Sequence, residues 1–197
     1  MRKFLIVASE KDLASMNIAN NIIDTNNFIE IESFEKGRLY KKDDLLLTIL
    51  RDNLIEVDYL DNYFKVRTYV FLSKHMSKDK IPAITAHFTG NFSADNKFGG
   101  NPNEIAITFP SLHKNLIREL WNRKNKIIDY EIVTEPTHHG PTNLTNPMIF
   151  LELGSSIKNW TDKKTGKIIG ETLIECINNF KFAKKIAIAL GGPHYSQ

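Results

Sequence analysis

The segment 134–143, TEPTHHGPTN, places two adjacent histidines, His138 and His139, between Pro136 and Pro141, with Glu135 just upstream and Gly140 just after. Near neutral pH an imidazole does two kinds of chemistry: it ligates a metal through a neutral ring nitrogen, or it takes and returns a proton. The prolines and the glycine stiffen the loop, as a site whose side chains must be held in place requires. Successive residues of an extended segment point opposite ways, so both rings face one point only if the backbone turns between them. Without such a turn one ring would act and the other orient it.

Two more histidines sit in glycine-bearing loops, His87 in AHFTGN and His194 in GGPHY. A lone loop histidine is most often a surface or structural residue, and three such loops in one chain weaken that reading. The carboxylates to weigh are Glu135 and Glu152, the latter in FLELGSS, because an imidazole that donates its second N–H to a carboxylate is fixed in tautomer and made more basic. Glu152 alternates with Leu151 and Leu153 and is expected to face outward from a strand. Ser155-Ser156 lacks a glycine-flanked nucleophile elbow and Cys176 falls mid-helix, so covalent catalysis is not expected. The pairs Gly99-Gly100 and Gly191-Gly192 either make turns or allow close backbone approach to a phosphate or ribose. Neither pair fits a Walker or dinucleotide fingerprint, so no nucleotide cofactor is implied.

These loops need elements to position them. Apolar runs predict strands over 3–9, 28–31, 45–50, 66–72, 83–88, 130–133, 148–153 and 187–190, and helical periodicity predicts helices over 12–23, 111–126 and 166–180. The first helix has Leu13, Met16, Ile18 and Ile22 as its apolar positions, and the last has Ile169, Leu173, Ile177 and Phe180. Ser111 is the expected N-cap of the middle helix, with Leu112, Leu116, Ile117, Leu120 and Trp121 on its apolar face. Its other face carries Lys114, Arg118, Arg123, Lys124 and Lys126, most simply a solvated surface, alternatively a track for phosphates. Trp121 and Tyr130 flank that patch and are expected in the core. The polar, glycine-rich stretch 91–102 is expected to be an exposed functional loop that moves when substrate binds. Alternating strands and helices specify an α/β fold, a mixed sheet flanked by helices, in which ligands gather beyond the strands' carboxyl ends where the histidine loops fall.

A chain of 197 residues, 42% of them hydrophobic, supports one sizeable core, so 1–197 reads as a single α/β unit. A formal net charge of +3 permits a polyanionic partner without demanding one. Cys176 is the sole cysteine, which excludes an intrachain disulfide and every cysteine-rich zinc scaffold; a metal would have to sit on His, Asp or Glu. No apolar run reaches the about 18 residues of a membrane span, and the first apolar run is too short for a secretory core, so a cytoplasmic protein without a membrane partner is expected.

Five motifs, HFTGN (87–91), GGNPNEIA (99–106), THHGPT (137–142), LELGSS (151–156) and GGPHY (191–195), occur in the order found in the archaeal and plant type of D-aminoacyl-tRNA deacylase, which the sequence resembles over most of its length. The resemblance implies a sandwich similar to nucleoside phosphorylases and peptidyl-tRNA hydrolases, and a hydrolase with zinc as cofactor. The implied partner is D-aminoacyl-tRNA, cut at the ester between the D-amino acid and the terminal ribose. Apart from the resemblance, no obligate protein partner and a monomeric state are expected. His87, His138, His139 and His194 are the candidate zinc ligands. Of these His87, His138 and His139 are also candidates for catalysis with Glu135, as general base or as orienter. Thr89, Gly90, Asn91, Gly99, Gly100, Gly140, Gly191 and Gly192 are expected to contact substrate, with N–H groups of Gly90, Asn91 or Gly140 facing the oxyanion. Family members continue beyond GGPHY, whereas this sequence ends at Gln197, so a C-terminal segment is expected to be missing or dispensable. Two other readings remain open: a phosphorylase-like hydrolase whose glycine loops bind phosphate and ribose, and a non-catalytic tRNA-binding module with structural histidines.

Overall fold

The computed structural model describes residues 4–179 and 181–195. Its strands are β1 (Phe4–Ser9), β2 (Ile29–Phe34), β3 (Gly37–Lys42), β4 (Leu45–Leu50), β5 (Tyr69–His75), β6 (Ala83–His87), β7 (Glu131–Thr134) and β8 (Met148–Gly154). Its helices are α1 (Leu13–Asn26), α2 (Leu60–Tyr63), α3 (Pro110–Asn122), α4 (Ile157–Trp160) and α5 (Lys163–Asn179). The strands form one sheet in the order β2-β3-β4-β1-β5-β8-β6-β7. The middle of the sheet, β4-β1-β5-β8, is parallel, while β2-β3, β3-β4 and β8-β6 are antiparallel. Strands covered on both faces read as unbroken apolar runs, which is why FLIVAS and LLLTIL are legible as β1 and β4.

One face of the sheet, with Ile6, Leu47, Val70 and Leu151, is packed by α1, α3 and α5; the other, with Val7, Phe71 and Phe150, is covered by α2 and a single turn at Leu54–Glu56. Helix α1 starts where the Asp12 carboxylate accepts the Ser15 N–H at 2.9 Å and stops at Asn27, whose φ of 55 closes the last turn. Its buried stripe is Ala14, Ser15, Ile18, Ala19 and Ile22, so Leu13, expected in that stripe, is instead exposed. In α5, Ile169, Leu173 and Ile177 are buried as expected; Phe180 lies outside the described residues, as do Lys3 and Gln197.

Several expectations change. Strand β3, GRLYKK, is too polar to be legible and exists because it pairs with β4 through all six of its residues. Helix α3 begins one residue earlier than Ser111: Phe109 is the N-cap and Pro110 takes the first turn, where its missing N–H is no loss. Ser111 is buried inside the helix, and its hydroxyl accepts the Ala183 N–H at 3.0 Å. Trp121 is 53% exposed rather than in the core, while Tyr130 is buried and donates to Asp162 at 2.9 Å. Residues 187–190 form no strand: Ile188 and Leu190 are exposed, and no strand pairs with them among the described residues. Their apolar run suits a strand, but a run without a neighbouring edge makes no ladder. No helix among the described residues is long and apolar enough to cross a membrane.

Candidate histidine–carboxylate site

Strands β5, β8 and β6 are neighbours, and each contributes one face to the site. Side chains two apart share a face, so Phe71, Ser73 and His75 align on β5, Phe150 and Glu152 on β8, and Thr85 and His87 on β6. Phe71 and Phe150 stack at 4.6 Å and make an apolar floor. His75, Glu152 and His87 follow that floor along the strands, and all three are buried. The expectation that Glu152 faces solvent is therefore corrected. It does point away from Leu151 and Leu153, but the loops after β6 and β7 cover that face.

The loop after β7 brings Glu135, His138 and His139. The His139 backbone has a φ of 44, and this supplies the turn without which two adjacent rings would diverge. The His138 and His139 rings lie 4.6 Å apart, and His87 stacks on His138 at 4.2 Å. His194 reaches in from the chain's last described residues and bonds the Glu135 Oε2 atom at 2.9 Å. Behind them, His75 Nδ1 sits 3.0 Å from Glu135 Oε1 and 3.6 Å from Glu152 Oε2, and the Tyr195 hydroxyl meets His75 Nε2 at 3.2 Å. The His75–Glu135 contact is close but off the axis of a hydrogen bond, so Glu135 Oε1 is left without one.

Three rings have their tautomers set by carbonyls. His87 Nδ1 meets Phe88 O at 2.9 Å, His138 Nδ1 meets Pro136 O at 2.7 Å and His139 Nδ1 meets Gly140 O at 2.7 Å. A carbonyl only accepts, so each Nδ1 carries the proton in the neutral ring and each Nε2 lone pair is free. That is how a histidine is prepared to ligate a metal. Ligating atoms of His87, His138 and His139 all lie within 4.8 Å of one another, and the buried His87 Nε2 has no hydrogen-bond partner. Zinc, with nitrogen ligands at about 2.0–2.1 Å and a tolerance for three histidines, fits this donor set after a small contraction. Two further groups, Glu135 with His138 and His194, and His75 with Glu135 and Glu152, meet the same spacing.

Burial works against charge on both carboxylates, yet the adjoining histidines more than offset it. Glu135 is held down to about 2 by His75, and Glu152 falls well below the usual carboxylate range beside His75 and His87. The reverse holds for the partners: against burial, Glu135 and Glu152 push His75 up to about 9, and Glu152 raises His87. For His138 and His139, burial and the neighbouring His87 outweigh the carboxylates, although Glu135 Oε2 lies 3.9 Å from His138 Nε2, and both are lowered, His139 to about 3. The site thus holds two fixed negative charges and two imidazoles kept neutral.

Several residues expected to touch substrate hold the loops together instead. Thr89 is fully buried and donates to Pro141 O at 2.6 Å, and the Asn91 amide binds Gly99 O and Asn101 O at 2.9 and 3.0 Å. The N–H groups of Gly90, Asn91 and Gly140, expected to face an oxyanion, are bonded to His139 O, Glu104 O and Phe98 O. A side chain at Gly140 would run into the backbone of Gly99 and Gly100, so the close approach these glycines permit is of one loop to the other, not to a phosphate. Gly191 and Gly192 stand in open space at φ 87 and 93 and turn the chain toward His194. Cys176 is buried with its thiol pushed up to about 12, in keeping with no covalent role. The sequence reading missed His75 and Tyr195. His75 ends β5 at the carboxyl side, where α/β sheets build sites, but the strand read from sequence stops at Leu72, short of it.

The fold and the cluster define an α/β protein built around a histidine–carboxylate centre at its strand ends. The family profile of D-aminoacyl-tRNA deacylase matches residues 62–197. The D-aminoacyl-tRNA deacylase of Pyrococcus abyssi is 37% identical over 98% of this chain and 72% of that protein, and the one of Methanocaldococcus jannaschii is 38% identical over 98% and 72%. A crystal structure of a conserved protein of unknown function superimposes with a TM-score of 0.92 at 31% identity, covering 98% of this chain and 70% of that one. Futalosine hydrolase of Helicobacter pylori superimposes with a TM-score of 0.57 at 13% identity over 90% of this chain and 99% of that one, a likeness of fold alone. The chain belongs to the D-aminoacyl-tRNA deacylase family.

Proposed function

We propose that this protein hydrolyses the ester joining a D-amino acid to the terminal ribose of tRNA. The observation that carries the reading is the set of three imidazoles, each with Nδ1 committed to a backbone carbonyl and Nε2 left free beside an ionised Glu135. An aminoacyl ester is already activated, so the site needs an aimed water, a stabilised oxyanion and a means of choosing handedness. Zinc held by His87, His138 and His139 would supply Lewis-acid polarisation of the ester carbonyl.

The protein's own groups divide the remaining work. A carboxylate held near pH 2 is a weak proton acceptor, so the structure favours Glu135 as the residue that orients an imidazole over Glu135 as general base. His194, bonded through Nε2 to Glu135 Oε2 at 2.9 Å and half-exposed, then has its Nδ1 left to take a proton from water. His75 and Glu152 lie behind and fix the charge on Glu135 and His87. The phosphorylase-like alternative loses part of its support, because the Gly99-Gly100 loop is packed against Gly140. The binding-module alternative is weakened because Arg118 and Arg123 on the basic helix are already paired with Glu119 and Glu175.

The test is hydrolysis of D-tyrosyl-tRNA beside L-tyrosyl-tRNA, with zinc and with a chelator. Turnover of the D ester alone, lost on chelation and regained with zinc, is the expected result. Equal turnover of both esters would overturn the chiral reading, and turnover indifferent to chelation would remove the metal.

A further inference from the structure

Phe92 and Phe98 are 67% and 70% exposed, in the loop 91–102, whose other residues are Asn, Ser, Ala, Asp, Lys, Gly and Pro. Both line a pocket of about 250 Å³ that opens to solvent and whose opposite wall is Thr137, His138 and His139. The loop does not hang free. Asn103 N bonds Ser93 O at 3.0 Å, Gly99 N bonds Asn96 O at 3.0 Å, and Asn101 N bonds the Thr142 hydroxyl at 2.8 Å. Asn91 clamps it from inside through Gly99 O and Asn101 O. The fold therefore holds two large, mostly exposed apolar rings next to the site and gains little burial from either.

From this we propose that Phe92 and Phe98 form a stacking platform for the terminal adenine of tRNA, an inference that rests on the deacylase reading above. The amino-acid side chain varies between substrates of an enzyme that takes D-aminoacyl esters in general; the adenosine that carries the ester does not. A phenyl ring offers no hydrogen bonds and one flat face, and flat faces stack on bases irrespective of what the rest of the ligand is. The position agrees, because a base bound against the pocket wall puts its ribose beside His138 and His139. Lys97 on the same rim supplies positive charge for the adjoining phosphate, although it is shared with Asp95 at 3.4 Å. An apolar amino-acid side chain would be the occupant of an enclosed pocket, whereas this one is open to solvent and bordered by Ser93, Asp95 and Lys97.

The experiment compares the full chain with Phe92→Ala, Phe98→Ala and Phe92→Trp, each checked for unchanged circular dichroism. Binding of AMP and of CMP is measured by calorimetry, and KM and kcat are measured on D-tyrosyl-tRNA and D-alanyl-tRNA. We expect AMP to bind the parent more tightly than CMP. Each alanine variant should lose about fivefold or more in AMP affinity, with KM rising alike for both esters at constant kcat, and Phe92→Trp should recover the loss. Unchanged AMP affinity in both alanine variants overturns the platform. So does a change confined to D-tyrosyl-tRNA, which would assign the rings to the amino-acid side chain. AMP binding that depends on the two rings in a chain that hydrolyses neither ester supports the platform and overturns the deacylase reading.

Discussion

Glu152 Oε1 lies 3.6 Å from His87 Nε2, too far for a hydrogen bond and with both groups buried. The carboxylate therefore acts on the imidazole through its charge. Glu152→Gln keeps the shape and removes that charge. Partners standing behind a metal ligand typically change affinity or activity by about 10- to 100-fold, and we expect a loss of that order in kcat/KM and in zinc affinity. Steady-state kinetics and a competitive zinc titration measure it; a variant matching the parent in both would make Glu152 a bystander.

His138→Ala and His139→Ala remove half-buried rings from a loop held mainly by backbone bonds, so both variants should fold. Zinc content by mass spectrometry under native conditions should drop, and hydrolysis of D-tyrosyl-tRNA should fall by two orders of magnitude or more, the scale expected on losing a reacting group, about 100-fold upward. Normal rates from folded variants would sink the proposed site.

Stability of the metal-free protein should peak near pH 6.5. Glu135 and Glu152 have depressed values, so their contribution is complete above the unfolded value of about 4.3 and is lost as pH falls through the folded ones. His139, lowered to about 3, adds to the acid loss, because below about 6.5 the unfolded imidazole binds a proton that the folded one refuses. His75 is raised to about 9; its contribution is full below about 6.5 and disappears as pH climbs to about 9. Thermal melts in EDTA at half-unit pH steps would show this, and His75→Gln should flatten the alkaline limb and also weaken the acid loss, since His75 holds down Glu135 and Glu152.

Gly140→Ala should destabilise by about 1–3 kcal/mol, the usual range for forcing a methyl into filled space, since the backbone of Gly99 and Gly100 occupies that space. Gly191→Ala meets nothing within 4 Å, so only its φ of 87 opposes the change, and the effect should be smaller. Urea denaturation of the pair gives the comparison directly; equal midpoints would mean that the two loops do not need their close approach.

What could be read from sequence followed the local character of each element. β1 and β4 were legible because burial on both faces leaves long apolar runs broken only by Ser9 and Thr48, and α5 because its stripe repeats cleanly. β3 was not, since its place comes from β4 beside it. The same limit applied at the site. His87, His138, His139, His194 and Glu135 stood out by motif, and the structure gathers them. Glu152 was misread because alternation reports which face a residue takes but not what covers that face. His75 lay in SKHMSKDK, where nothing local separates a buried strand end from a polar turn.

The carbonyl braces on the three imidazoles are all short-range: His87 to Phe88, His138 to Pro136, His139 to Gly140. The aim of each ring is thus written within two residues of its own position. Substitutions elsewhere in the sheet can raise or lower the stability of the whole while leaving the three donors pointing where they do. Stability and the aim of the three rings are therefore separately adjustable in this chain.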